Sequence, residues 1–469
     1  MKRLLILFAA LVLCSFSSTP AAALEVAVKG DMHFAFIFKD KADYPKAGFD
    51  RGVDEQTFFA RQRVRVSTAF IVSEDLKGVL TLHSGFINWG DEASGGIDGN
   101  RSTLNIREAY LDWRLGDSGL TLRPGLQLLW LPEAVSLSPV MNTAVAGVSA
   151  MYRFNEAASV NLAWARPWNN AGNESHDAFD LFLLTLPLTF DGLELTPWAE
   201  YSRLGRNSMD DQSPGGILTP LTKNYRNWTH NGSMWHLGLA AKYTGGDWIF
   251  AADFIYGGLE SSGQGADPAR NGGHALKTNG FFADFKASYD TGNGRLGLAA
   301  WYASGDDKGQ TEKRGRHGHM PTLVSSANHE VGWGYGVSSY GFWGDTPIVY
   351  GGVALSQSGV GTAGLSLMWE NFSFVENLTH TLRFLHYRGT NYAREGASSG
   401  MSPTYKSSGS FKYLCRDDKA YELNFDHRWQ IEKGFSATLD FGAIYVDWKN
   451  RSDMAGSSWR LAIGLQYEF

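Results

Sequence analysis

Arg61, Arg63 and Arg65 stand two residues apart within Phe58 to Val72, where Val64, Val66, Phe70 and Val72 fill the other phase. A spacing of two puts the three guanidinium groups on one face of a strand, one above another. Arginine stays charged at any working pH, so such a column offers field and hydrogen bonds to an anion rather than proton transfer. Other polar sets share the alternation: Asp112 with Arg114, Arg123 with Gln127, and Glu422, Asn424, Asp426 and Arg428 in one run. Glu133 is the one acid in the apolar stretch Pro132 to Gly147. Two readings stay open for the arginines: a basic ladder that draws anions, or a solvated strand face offset by neighbouring acids.

Bond-making chemistry has less support. His317 and His319 lie in Arg314-Gly315-Arg316-His317-Gly318-His319, with no cysteine or carboxylate at ligand spacing, so the expectation is a solvated loop and no metal. Cys415 reads as an incidental loop thiol. No G-x-S-x-G elbow, no H-E-x-x-H and no carboxylate pair placed across a cleft can be found. The expectation is a protein that is not an enzyme and binds no cofactor.

The elements that must carry these side chains are strands. In the last of them Trp459, Leu461, Ile463, Leu465, Tyr467 and Phe469 alternate with Arg460, Ala462, Gly464, Gln466 and Glu468 without a slip. Between Ala109 and Leu115 the odd positions are apolar, while Glu108, Tyr110, Asp112 and Arg114 fill the even ones. Leu120, Leu122, Leu126, Leu128 and Trp130 alternate with Thr121, Arg123, Gly125 and Gln127. Taken along the chain, the pattern gives 18 strands joined by eight tight turns and nine longer loops, in strict alternation. Sixteen is the alternative count, because 304–359 and the short pair 148–166 are ambiguous.

Lys2-Arg3, the apolar run Leu4 to Leu13 and Ala21-Ala22-Ala23 have the order of a secretory signal peptide. Cleavage after Ala23 takes 23 of the 469 residues and leaves 446, read as one domain over 24–469. Leu13 before Cys14 does not suit a lipid anchor. With Lys2 and Arg3 removed the formal charge moves from −6 to −8, which argues against a nucleic-acid partner. One mature cysteine excludes a disulfide scaffold, and no apolar run reaches 18 residues, so no transmembrane helix is expected. A mean hydropathy of −0.24 with 54 glycines and 13% aromatics suits a β-barrel with a polar interior and aromatic girdles. A soluble β-propeller or sandwich shares such figures but has no reason to sort short turns from long loops. Trp113, Trp130, Trp235, Trp248, Trp429, Trp448 and Trp459, near apparent strand ends, read as the girdle.

Lipid satisfies no backbone hydrogen bond, so a membrane sheet must close, and at 16 to 18 strands its interior is wide enough for water. The chain resembles the Gram-negative outer-membrane general porins. The features that carry the likeness are the signal peptide, the Phe-terminated last strand, and the Arg107-Glu108-Ala109-Tyr110-Leu111 segment with the long loop after the next strand. Among porins, the style is similar to the homotrimeric porins of sulfate-reducing bacteria. That resemblance implies a closed antiparallel barrel in the bacterial outer membrane, with short periplasmic turns, long outer loops and one loop folded into the lumen. It implies passive diffusion of ions and small hydrophilic solutes through a homotrimer. The alternative is a substrate-specific channel with a saturable site for an anionic solute. The implied partners are outer-membrane lipid, lipopolysaccharide and the barrel assembly machinery, which would read Trp459 to Phe469. The third-loop analogue holds only Glu133, so a mild anion preference is expected from the arginines, with Glu133 opposing them.

Overall fold

The structure is a computed structural model that describes residues 24–39, 57–85, 87–90, 96, 104–135, 138–169, 178–205, 231–261, 277–307, 316–321, 323, 349–350, 353–354, 361–392, 414–447, 449 and 457–469. The signal segment 1–23, the loop 40–56 and Trp448 lie outside them.

Eighteen antiparallel strands close into one barrel. The first six are β1 (Glu25–Lys39), β2 (Thr57–Ser73), β3 (Leu76–His83), β4 (Asn105–Arg114), β5 (Leu120–Trp130) and β6 (Asn142–Arg153). Next come β7 (Ser159–Trp168), β8 (Phe179–Thr185), β9 (Leu193–Leu204), β10 (Gly232–Gly245), β11 (Trp248–Ser261) and β12 (Lys277–Asp290). The last six are β13 (Arg295–Ala303), β14 (Thr362–Val375), β15 (Leu378–Gly389), β16 (Lys419–Glu432), β17 (Phe435–Asp447) and β18 (Ser457–Glu468). Each pairs with its neighbours in sequence, and β18 returns to β1 from Asp31↔Glu468 to Lys39↔Arg460. Gly30 and Phe469 exchange both backbone hydrogen bonds at that seam, at 2.8 and 3.0 Å. A Cβ on Gly30 would run into the Phe469 ring, so glycine there lets the last residue seal the joint.

Closure explains the alternation. The odd residues of β18 face outward beside Phe34 and Phe36 of β1, while Gly464 and Gln466 face inward opposite Ala35 and His33. Outward side chains such as Leu111, Trp113, Trp130, Trp248, Trp429 and Ile463 stay exposed. That is the apolar band expected of a surface in hydrocarbon. The architecture is that of a bacterial outer-membrane β-barrel.

Two details differ from the sequence reading. The stretch Pro132 to Gly147 is not all loop, because β6 already begins at Asn142; Ala144, Ala146 and Val148 continue the outward phase. The pair expected to be short therefore becomes full strands of 12 and 10 residues, which settles the count at 18 rather than 16. Within the ambiguous region 304–359, Val349–Tyr350 pairs with Val353–Ala354 as a two-rung ladder outside the barrel sheet.

The core is inside the ring. Leu131, Val140 and Met141, from the connection after β5, bury against inward residues of the β8 to β14 arc, among them Leu181, Trp198, Ile255, Phe282 and Trp301. Met320 and Leu323 join the same cluster from the connection after β13. The backbone of Leu323 donates to the Val140 carbonyl at 3.0 Å, so two infolded segments brace each other.

Candidate functional site

The lumen wall on β2 carries the arginine column. Arg61, Arg63 and Arg65 sit opposite Ala35, His33 and Asp31 of β1. Arg63 is buried and donates to Asp31 Oδ1 at 2.7 Å, with His33 Nε2 3.4 Å away. The Arg61 guanidinium lies 4.9 Å over the Phe59 ring, which fixes its height on the wall. The column is continued round the ring by the polar run Glu422, Asn424 and Asp426 and by Arg460, together with Arg383 and Asp440, which the sequence reading passed over. Arg460 of β18 is almost fully buried, and Arg383 of β15 donates to Asp426 of β16 at 2.7 Å. Asp440 stands opposite Asp426 on β17, and Glu422 and Asn424 share the inward face. Acids and arginines thus share this arc, and buried Arg63 and Arg383 each donate to a carboxylate, as burial of charge requires.

The remaining candidates fall on β4, β5 and the loop after them. Arg123 grips Asp112 through two hydrogen bonds of 2.5 and 2.9 Å and lies 4.5 Å over the Tyr110 ring. Pairing of β4 with β5 is interrupted here: Tyr110↔Gly125 and Trp113↔Leu122 are registered, but not the residues between. Gly125 has φ +132°, and a Cβ would strike the Ala109 carbonyl; with Pro124 beside it, the ladder is broken without a change of register where Arg123 meets Asp112. Arg114 is instead drawn to the β2–β3 turn, where Nε donates to Asp75 at 2.6 Å, so it marks the turn end of the lumen. Gln127 is buried and spends its amide on wall atoms, donating to the Arg123 carbonyl and accepting from Ser149 at 2.7 Å. Asp112, Arg123 and Gln127 form one cluster; the arginine column and Glu133 are elsewhere on the ring.

Glu133 sits on the infolded segment against Asp253 of β11. Asp253 accepts from the backbone N–H of Ala134 at 2.8 Å and of Val135 at 2.8 Å, and so clamps the segment to the wall. Burial, and then the Asp253 charge, push the Glu133 carboxyl up to about 8. Asp284 of β12 stands directly opposite Asp253. In a ring of 18, β11 is nine strands from β2, so these carboxylates occupy the wall facing the arginines. Neither Asp253 nor Asp284 stood out in the sequence, although each is an acid inside an otherwise apolar strand at inward phase.

The second infolded segment is held by buried polar groups. His236 Nε2 donates to the Pro321 carbonyl at 2.8 Å while Nδ1 faces Glu200 at 2.7 Å, and Ser202 donates to Glu200. Thr278 donates to the His319 carbonyl at 2.5 Å, and the Gly318 N–H donates to Asp306 at 2.7 Å. His319 is itself buried, 3.1 Å from Asp306, so it is no solvated loop residue: its ring anchors the segment inside the barrel. Cys415, read as an incidental loop thiol, lies outside the barrel strands and is buried, its N–H held by Asp418 at 2.8 Å. Among the described residues no three or more metal-ligating side chains converge.

No protein-family model matches the chain, and no curated protein matches it. Solved structures do share its fold. Pseudomonas aeruginosa OpdL is 12% identical with a TM-score of 0.53, over 95% of this chain and 99% of that one. Acinetobacter baumannii OccAB4 is 11% identical with a TM-score of 0.51, over 96% and 100%. The outer membrane protein OpdK of P. aeruginosa is 10% identical with a TM-score of 0.51, over 94% and 98%. At such identities the likeness speaks for the barrel and its size. A closed barrel of this size is the architecture common to them.

Proposed function

We propose that this chain is a substrate-selective outer-membrane channel that conducts small hydrophilic solutes and prefers anionic ones. The observation that carries the reading is the column Arg61, Arg63 and Arg65 on one lumen wall, with the infolded segment and its carboxylates on the wall nine strands away. A constriction with cations on one side and acids on the other orients a solute across the pore, and low-dielectric walls focus the field. Stacked guanidinium groups suit carboxylates, which they can bind through two parallel hydrogen bonds. A solved structure of P. aeruginosa OpdK contains vanillate, an aromatic carboxylate; OpdK is 10% identical to this chain with a TM-score of 0.50.

The second reading is a general diffusion porin, assembled as a homotrimer like those of sulfate-reducing bacteria, and the eight-turn, nine-loop organisation favours it equally. Both readings place the chain in outer-membrane lipid with no catalytic role. Conductance of the purified protein in planar bilayers separates them. Selective transport predicts that current carried by small carboxylates saturates with concentration and that one carboxylate blocks another. Conductance linear in concentration for every solute would favour the general porin.

A further inference from the structure

The outward rim at the long-loop end carries a feature that permeation does not use. On β7 to β10 a row of aromatic side chains lies in register: Trp164↔Phe182, Phe182↔Tyr201 and Tyr201↔Trp235. One step toward the loops lies a row of charge: Asp180↔Arg203, then Glu260↔Lys277 on β11 and β12, with Arg166 bonded to Asp180 at 2.8 Å. The pattern recurs on β15 to β17. There His386, Tyr421 and Tyr445 make the aromatic row, His386 and Tyr421 stacked at 4.6 Å. Above them come Arg388, Lys419 and Asp447 in register.

The second patch is the cation-rich one. Arg388 and Lys419 are exposed and directly opposite each other on adjacent strands, an arrangement that repels unless an anion lies between them. Neither has an ion-pair partner among the described residues. The nearby acid, Asp447, is bonded to Lys449 at 2.7 Å. With Arg416 added, four cations stand against Asp447 and Asp417, which leaves the patch with an excess of positive charge. At the opposite rim the outward strand positions that are described carry aromatics, such as Trp113, Trp248, Tyr289 and Trp429, but no lysine or arginine. Aromatic rows of this kind mark the boundary between hydrocarbon and headgroups. The charged row therefore lies at headgroup level in one leaflet only.

We propose that Arg388 and Lys419, with Lys449 at the edge, bind the phosphate of a phosphorylated glycolipid in the leaflet on the long-loop side. The guanidinium donates paired hydrogen bonds to the phosphate, the lysines add charge, and His386, Tyr421 and Tyr445 receive the upper acyl region.

The test uses the full chain purified in detergent and mixed with micelles carrying diphosphoryl lipid A, with bound lipid counted by native mass spectrometry. The double variant Arg388→Gln/Lys419→Gln is expected to bind about tenfold more weakly. Arg166→Gln, whose guanidinium is already held by Asp180, is expected to bind as the parent does, and Arg388→Lys to keep most of the affinity. Heat-modifiable migration of each variant confirms a closed barrel. Equal retention by parent and double variant would overturn the proposal, as would equal retention of dephosphorylated lipid A. Displacement by inorganic phosphate at matching concentration would assign the site to a free ion, and a changed oligomeric state in the double variant would assign it to a second copy; either contradicts a lipid site.

Discussion

Two walls of the same lumen hold their charge differently. On β2 the arginines rise in a column from a regular strand, and their positions follow from alternation alone. On β11 and β12 the acids are bound to backbone: Asp253 is occupied by Ala134 and Val135, and Glu133 is buried beside it. On the first wall Arg61 and Arg63 are buried and Arg63 is bonded to Asp31, so their field reaches the pore from within the wall; the second wall spends its charge on seating a loop. Substitutions on the first should therefore change which ions pass while leaving the bore alone. Those on the second should change the bore with a smaller effect on sign.

The largest effect is expected for Arg61→Ala, Arg63→Ala and Arg65→Ala together, with a loss of anion over cation permeability of about tenfold, read from reversal potentials in a salt gradient. Unit conductance should shift far less. Next is Asp253→Asn, which weakens three contacts to the Ala134 and Val135 amides. Seating of the loop should lose about 2 kcal/mol, seen as a larger and noisier single-channel current. Gly280→Val tests the other infolded segment, because a side chain there would meet the Met320 N–H and the His319 carbonyl carbon. Overpacking of about 1–3 kcal/mol should displace the segment and raise conductance without reversing selectivity.

The smallest effect concerns pH. The Glu133 carboxyl has an ordinary value of 4.5 and is pushed up to about 8 in the seated loop, so at pH 6 it is neutral there. The seated form holds its proton where the released form does not. Seating therefore carries no cost from Glu133 below pH 4.5, and the cost grows as pH rises toward 8. Between pH 6 and pH 9 Glu133 should take up its negative charge, and the parent should lose a little anion preference. Glu133→Gln should remove that step from the pH profile of the reversal potential.

Much of the fold was legible because a membrane barrel is written in a period of two. Turn and loop lengths supplied the strand order, and the apolar phase of Trp459 to Phe469 named the outward face. What alternation cannot convey is which inward groups meet. Ala134 and Asp253 are 119 residues apart, and only closure of the ring brings them together. Gln127 and Arg114 have the right phase for a pore wall, yet one is consumed by neighbouring backbone and the other by a turn. His319 read as solvated because its partner Asp306 lies beyond any local ligand spacing. Trp198 and Trp301 show the converse: tryptophans in strands that face inward and pack against the infolded loops instead of joining the girdle.

The central claim is that the arginine wall, rather than the loop-bearing wall, decides what passes. Its most direct test is the reversal potential of the parent channel and of the Arg61, Arg63 and Arg65 triple alanine variant at pH 6, in planar bilayers across a tenfold salt gradient. Anion preference in the parent and its loss in the variant, at nearly unchanged conductance, is the predicted result. A parent that prefers cations, or a variant with the parent's reversal potential, would contradict it.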